Sequence, residues 1–303
     1  MTPVRHPESS QGFGAALGAF LLWGLLPIYW KSVQTVNPME ILCHRIIWSL
    51  VFITIILTIK HRWAETFRSI RNLKSMVILL LSSFCIGGNW LLYIWAVNSN
   101  HVLETSLGYY INPLINIMLG FLFFRERPSR LQYVAIGLAT LAVANSIISY
   151  GSIPWISLAL GISFSIYGVL RKIAPVESLP GLFLETLVLS PFALAYIIYL
   201  QANGASGFLA GNVTIDLLLI CAGVVTATPL IGFAYAARRL QLTTLGILQY
   251  SAPSIAFLLG VFLFKEPFSS GHLLTFGLIW AALALYTVDS VRTIRAQRKA
   301  ARL

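Results

Sequence analysis

The sequence predicts an all-α integral membrane protein: ten transmembrane helices in two inverted five-helix repeats, with both termini in the cytoplasm. Three observations predict it. Of the 303 residues, 57% are hydrophobic and only 10% charged. The stretch around Pro113 is written a second time around Pro253, and the cations crowd into alternate loops.

Composition sets the class. Mean hydropathy is +0.80, a balance that a polytopic membrane protein needs and a soluble domain does not. The formal charge of +11 does not indicate nucleic acid, because the cations fall between apolar spans and not on one face. Cys43, Cys85 and Cys221 sit inside apolar stretches without metal or disulfide spacing, as small core residues do. Residues 1–11 are polar and the next span lacks a short hydrophobic region with a cleavage site, so it is expected to stay as a first membrane helix.

Residues 106–130 read SLGYYINPLINIMLGFLFFRERPSR, and 244–267 read TLGILQYSAPSIAFLLGVFLFKEP. Pro113, Gly120, Phe124, Arg125 and Glu126 recur on one offset as Pro253, Gly260, Phe264, Lys265 and Glu266. Leu107-Gly108 recurs as Leu245-Gly246 slightly out of step, so a small insertion separates the copies. Such a repeat governs the whole fold. Each copy is apolar for about 20 residues, enough to cross ~30 Å of hydrocarbon. Each proline lies roughly 16 Å of helix from the terminal Phe, near the midplane. Pro113 and Pro253 therefore free the carbonyls of Tyr109 and Gln249 at that depth. Such groups are tolerated when buried in protein or facing a water-filled cavity. A plain kink between packed helices is the alternative, and Pro27 is a third kink position.

The ten expected spans are 12–33, 38–59, 75–97, 104–124, 131–150, 155–172, 179–200, 214–236, 242–264 and 272–289. Between the second and third, Trp63, Phe67 and Ile70 recur at helical spacing among Arg62, Arg68, Arg71 and Lys74. This reads as an interfacial amphipathic helix or a solvated basic loop. All but three of the 21 Lys and Arg fall on one side of the membrane; the exceptions are Lys31, Arg45 and Lys265. The positive-inside rule makes that side cytoplasmic. The repeated stretches are the fourth and ninth spans, and an odd number of crossings reverses direction. The halves, 1–150 and 151–303, are thus inverted, an arrangement that rocks around a midplane site in secondary transporters.

Polar residues in the spans mark the candidate site. Glu40 and His44 are one turn apart, with Arg45 beside them, as a proton site or an ion-paired cluster. Trp90 and Tyr93 on span three are cavity candidates; Trp95 belongs to an interfacial belt. Tyr109, Tyr110 and Asn112 of span four are expected to converge with Gln249 and Tyr250 of span nine on a shared polar space, and Asn116, on the same face as Asn112, is a further cavity candidate. Hydrogen bonding between helices would equally explain the two asparagines. Tyr167 on span six lies a turn before Arg171 and Lys172, cations expected to snorkel to the interface. Glu185 has no cation at helical spacing within its own span. Either a neighbouring helix supplies one, such as Arg171, or the carboxyl titrates and carries proton coupling.

No GxxxxGK[ST], HExxH or GxSxG motif is present. Neither catalytic residues, a metal nor a cofactor are expected, and the chain reads as no enzyme.

The motifs EILCHRIIWS (40–49), GGNWLLYIWAVN (87–98), ETSLGYYINPLINIMLG (104–120), YGVLRK (167–172), LETLVLSP (184–191) and RLQLTTLGILQYSAPS (239–254) resemble the RarD-type branch of the EamA, or drug/metabolite transporter, superfamily. The resemblance implies ten helices in two inverted repeats, a central cavity and small-molecule permease activity in the bacterial inner membrane. Members often carry chloramphenicol-sensitivity or resistance labels. The expected partners are a small amphipathic substrate, amino acid-like or a neutral drug, and the lipid bilayer. Proton coupling and a monomeric or homodimeric state stay open. A lipid-carrier flippase would need a lateral groove, and an intramembrane enzyme would need convergent acid/base or metal ligands.

Overall fold

Helix is the only regular structure in the described part of the chain. The computed structural model describes residues 10–98, 102–150, 155–263 and 270–300. Helices run Ser10–Ser32 (α1), Pro38–Ile59 (α2), Trp63–Arg71 (α3), Leu73–Asn98 (α4), Val102–Phe124 (α5), Arg130–Tyr150 (α6), Trp155–Ile173 (α7), Ser178–Ala202 (α8), Val213–Ala237 (α9), Leu242–Gln249 (α10), Ser251–Leu258 (α11) and Ser270–Ala300 (α12). A π-helical turn, Leu259–Leu263, continues α11.

Among the described residues, six helices are long and apolar enough to cross a membrane: α1, α2, α7, α8, α9 and the Leu73–Tyr93 part of α4. Ile111–Phe124 and Leu273–Asp289 are shorter apolar helices. Their outward faces are apolar, as with Leu21, Leu25 and Ile28 on α1 or Phe121, Leu122 and Phe123 on α5. That is the surface lipid requires. The amphipathic stretch is the helix α3, and Trp63 packs edge-on to Phe183 of α8.

Two features of the packing bear on the repeat. The starts Pro38, Leu73, Val102 and Arg130 are each followed 140 residues later by Ser178, Val213, Leu242 and Ser270. The neighbour pairs behave alike. Exchanging α1 with α7, α2 with α8, α4 with α9, α5 with α10–α11 and α6 with α12 turns α1·α9 into α4·α7. It turns α1·α11 into α5·α7 and α2·α9 into α4·α8, and leaves α2·α8, α5·α10 and α6·α12 unchanged.

Small residues bring the helices together, since apolar side chains gain little from leaving lipid. Ala135, Ala139 and Ala142 form a fully buried stripe against Ile279, Ala282 and Tyr286 of α12. A Cβ on Gly223 of α9 would lie 2.2 Å from the Trp48 carbonyl carbon of α2, so only glycine permits that crossing.

The ninth expected span is interrupted. α10 ends at Gln249, the Tyr250 N–H bonds the Ile247 carbonyl at 3.1 Å, and α11 starts at Ser251. Pro253 lies just beyond this break, whereas Pro27 and Pro113 sit within continuous helices. Phe264, Lys265 and Glu266, the end of the second repeated stretch, lie outside the described residues.

Candidate functional site

Where α5 crosses α10, Asn116 donates to Gln249 Oε1 at 2.9 Å and to Asn112 Oδ1 at 3.1 Å. Asn112 donates in turn to the Gly161 carbonyl of α7 at 3.2 Å. Gly246 makes the crossing close: a Cβ there would lie 2.7 Å from the Pro113 carbonyl oxygen. Asn116 and Gln249, two separate candidates, therefore meet across the two repeated stretches. All three amides are buried, and they bond protein groups. Tyr250 and Tyr167 are fully buried as well, so neither lines open space in this conformation. Tyr250 packs among Ile247, Ile279 and Tyr286, and Tyr167 stacks on Phe233. The side chain of Tyr110 lies outside the described ones.

Accessible surface on polar and aromatic side chains is instead found around Arg45. Its guanidinium lies 4.7 Å from the Trp30 ring centroid and 5.1 Å from that of Trp90. Its Nε donates to Thr226 Oγ1 at 3.0 Å. Tyr29, Tyr93 and Tyr109 lie in its neighbourhood. Tyr93 and Tyr109 pack edge to face at 6.1 Å. Five helices, α1, α2, α4, α5 and α9, supply these side chains. Arg45, Trp30, Trp90 and Tyr93 are only half-buried and Tyr109 is 49% exposed. Side chains from five helices thus converge on Arg45 and retain accessible surface.

Arg45 is not the partner of Glu40. The Glu40 carboxylate accepts Ser206 Oγ at 2.6 Å, Gly207 N at 2.9 Å and Phe208 N at 3.2 Å, pinning the loop after α8 against α2. His44 accepts the Trp48 indole N–H at Nδ1, while its Nε2 lies 3.9 Å from Glu40 Oε1. Glu40 and Arg45 are five positions apart and leave α2 in different directions. The expected cluster is thus split in two, Glu40 and His44 against the loop and Arg45 among the aromatic rings.

Glu185 follows the first of its two expected alternatives. Arg171 Nη1 lies 3.5 Å from Glu185 Oε1, with relative exposures of 0% and 1%. Ser82 of α4 donates to Oε1, and Tyr167 donates to Oε2 at 3.3 Å. Arg171 therefore does not snorkel; it also donates to the Ser178 carbonyl at 3.1 Å. Lys172 turns to the Leu240 carbonyl and to Glu126, 3.8 Å away.

Glu126 was not singled out as a site residue by its sequence. Its carboxylate accepts Leu242 N at 2.7 Å, Thr243 N at 2.9 Å and Thr243 Oγ1 at 2.7 Å. The recurrence of Glu126 at the end of each repeated stretch was the signal that could have found it.

A bundle of long apolar helices with an aromatic, cation-bearing cluster between them defines the class, an integral membrane protein. The comparisons agree. Residues 10–148 match the model of the EamA-like transporter family. A protein called Uncharacterized transporter from Vibrio cholerae is 42% identical over 99% of this chain and 99% of its own. Protein RarD of Escherichia coli is 41% identical, over 96% and 99%. The Chloramphenicol-sensitive protein RarD of Pseudomonas aeruginosa is 29% identical, over 96% and 98%. A crystal structure shares the fold at a TM-score of 0.73 with 19% identity, covering 93% of this chain and 99% of that one. The chain belongs to the EamA-like transporter family and its RarD relatives, and is a multi-pass transporter of the inner membrane.

Proposed function

We propose that the protein is a secondary transporter that moves small amphipathic organic molecules, amino acid-like metabolites or neutral drugs, across the inner membrane by alternating access, in the direction of export. The observation that carries this is the exchange relation among neighbouring helices. Two halves that pack on one another through interchangeable contacts have two near-equivalent arrangements, each open to one side. The 140-residue offset shared by four pairs of helix starts supports ten spans in two repeats. The loop cations support opposite orientations of those repeats and cytoplasmic termini.

The Asn116–Gln249 bond sits at the crossing about which the halves would rock, so it is the joint the cycle must work around. Arg171 neutralises Glu185 inside the protein, which supports a facilitative carrier over one coupled through that carboxylate. The test compares untargeted metabolite profiles of membrane vesicles bearing the wild type, Gln249→Ala or no transporter. At equal protein level, wild-type vesicles should differ from empty ones in a small set of amphipathic organic molecules, and Gln249→Ala should lose the difference. Identical profiles for wild-type and empty vesicles would remove the transport reading. The same wild-type vesicles, with and without an imposed pH gradient, separate facilitated flux from proton coupling.

A further inference from the structure

Resting on that transport reading, we infer that Arg45 is the specificity-determining residue of the cargo site, and that the cargo is an organic carboxylate on a flat apolar body. The inference starts from charge. Arg45 lies seven residues into α2, roughly 10 Å of helix from its end. Arginine keeps its proton in proteins, so the site carries a full positive charge. Among the described residues no carboxylate lies within ion-pair distance of it. Glu40, the nearest acid in sequence, is used by the 206–208 backbone.

The other half of the molecule shows how this fold treats a buried charge when nothing external is needed. Applying the 140-residue offset of the helix starts to Arg45 gives Glu185. Glu185 has a counter-cation in Arg171 and two hydroxyl donors in Ser82 and Tyr167, and it is sealed. Arg45 has one hydroxyl acceptor, two indole faces and accessible surface. Indole faces satisfy a guanidinium only in part and fill none of its N–H positions. Among the described residues only Nε has a hydrogen-bond partner, so the terminal N–H groups are available to a ligand beside Trp30 and Trp90.

A planar fork of free N–H groups matches a carboxylate in two parallel hydrogen bonds. The two indoles flank that fork, and the edge-to-face tyrosine pair adds aromatic surface against which a flat apolar body can pack. A cation of the cargo would be repelled, and a neutral amide would leave the charge uncompensated. The site therefore selects for an anion at one end and an aromatic or flat aliphatic body at the other, narrowing the amino acid-like and neutral classes above to the carboxylate-bearing ones.

The experiment uses the full chain in nanodiscs and titrates 3-phenylpropionate, 3-phenylpropionamide and 3-phenylpropylamine by calorimetry. The carboxylate should bind at least tenfold tighter than the amide, and the amine weakest. Arg45→Gln should bring carboxylate and amide within twofold of each other. Arg45→Lys, which keeps the charge and loses the fork, should keep part of the preference. Thr226→Val removes only the Nε acceptor and should reduce the preference without abolishing it, which guards against reading misfolding of an Arg45 variant as loss of the site. Equal affinity of wild type for carboxylate and amide, or binding of none of the three probes, would overturn the assignment. Counterflow of radiolabelled 3-phenylpropionate in proteoliposomes separates the two readings. Binding without flux would count against transport and leave the site standing. Amide flux that Arg45→Gln leaves intact would count against the site and leave transport standing.

Discussion

Glu126, just past the end of α5, accepts the backbone N–H of Thr243 at 2.9 Å and thereby caps the amino end of α10. The capping group comes from the opposite strand of the crossing, 117 residues away in sequence. Left-handed Arg125, at φ 51°, turns the chain so that the Glu126 N–H bonds the Gly120 carbonyl at 3.2 Å and its carboxylate reaches α10. An anion at a helix amino terminus meets unpaired donors and the positive end of the helix dipole. The carboxylate also has Lys172 3.8 Å away, so several stabilising contacts converge on one side chain.

Glu126→Ala should therefore lower stability by about 1–3 kcal/mol, the cost of leaving buried donors unsatisfied. Thermal unfolding in detergent measures it. Gly120→Ala should mimic it, because a Cβ on Gly120 would lie 2.4 Å from Glu126 Oε2. In a double-mutant cycle the two losses should be strongly non-additive, since both act on one carboxylate. Simple additivity would mean that Gly120 matters for something other than this cap.

The second prediction concerns the sealed pair of Arg171 and Glu185. Glu185→Gln leaves a fully buried guanidinium without its counter-charge, and breaking such a pair costs about 3–5 kcal/mol. The double variant Arg171→Met with Glu185→Leu removes both charges and should recover most of that loss. Chemical or thermal unfolding of the three proteins decides it. If Glu185→Gln is as stable as wild type, the pair contributes nothing and Glu185 is freed for a role in proton coupling.

Close helix approach gives the third. Gly223→Ala forces the α2–α9 crossing apart, because its Cβ would meet Trp48 backbone; overpacking of this kind costs about 1–3 kcal/mol. Gly137→Ala in α6 is the control: nothing lies within 4 Å of its would-be Cβ. Alanine in a helix is favoured over glycine by about 0.5–1 kcal/mol, so that variant should be neutral or slightly more stable. Equal effects at the two positions would show that helix propensity, not packing, governs both.

Periodicity and composition made much of this architecture legible in the sequence, because the membrane imposes them directly. Span positions follow from apolar length, one of two readings of residues 60–74 from Trp63, Phe67 and Ile70 at helical spacing, and the approach of span four to Gln249 from a repeat that sets two proline-bearing helices against each other. What stayed hidden depends on which way a side chain leaves its helix. Glu40, His44 and Arg45 look like one cluster in sequence, yet Glu40 turns to the 206–208 loop and Arg45 to the indoles of Trp30 and Trp90. Arg171 reads as a snorkelling cation because Lys172 follows it, but Glu185 on the next helix draws it inward. Tyr167 and Tyr250 read as cavity residues because they are polar in apolar spans; packing buries them fully.

The last prediction is the membrane orientation on which alternating access depends. In a background with Cys43, Cys85 and Cys221 replaced, single cysteines are placed at Arg68, Arg127, Asn203 and Ala205, all exposed, and at position 269. The loop cations put 68 and 127 on the cytoplasmic side. Positions 203, 205 and 269 should then lie outside. An impermeant thiol reagent applied to intact spheroplasts should label 203, 205 and 269 and spare 68 and 127, with all five reacting after permeabilisation. The informative comparison is 127 with 269, which follow the two copies of the repeated stretch. Opposite sides mean that the copies run in opposite directions, as two rocking halves require. Labelling of both from one side would make the halves parallel, and the exchange of helix neighbours would need an explanation other than a transport cycle.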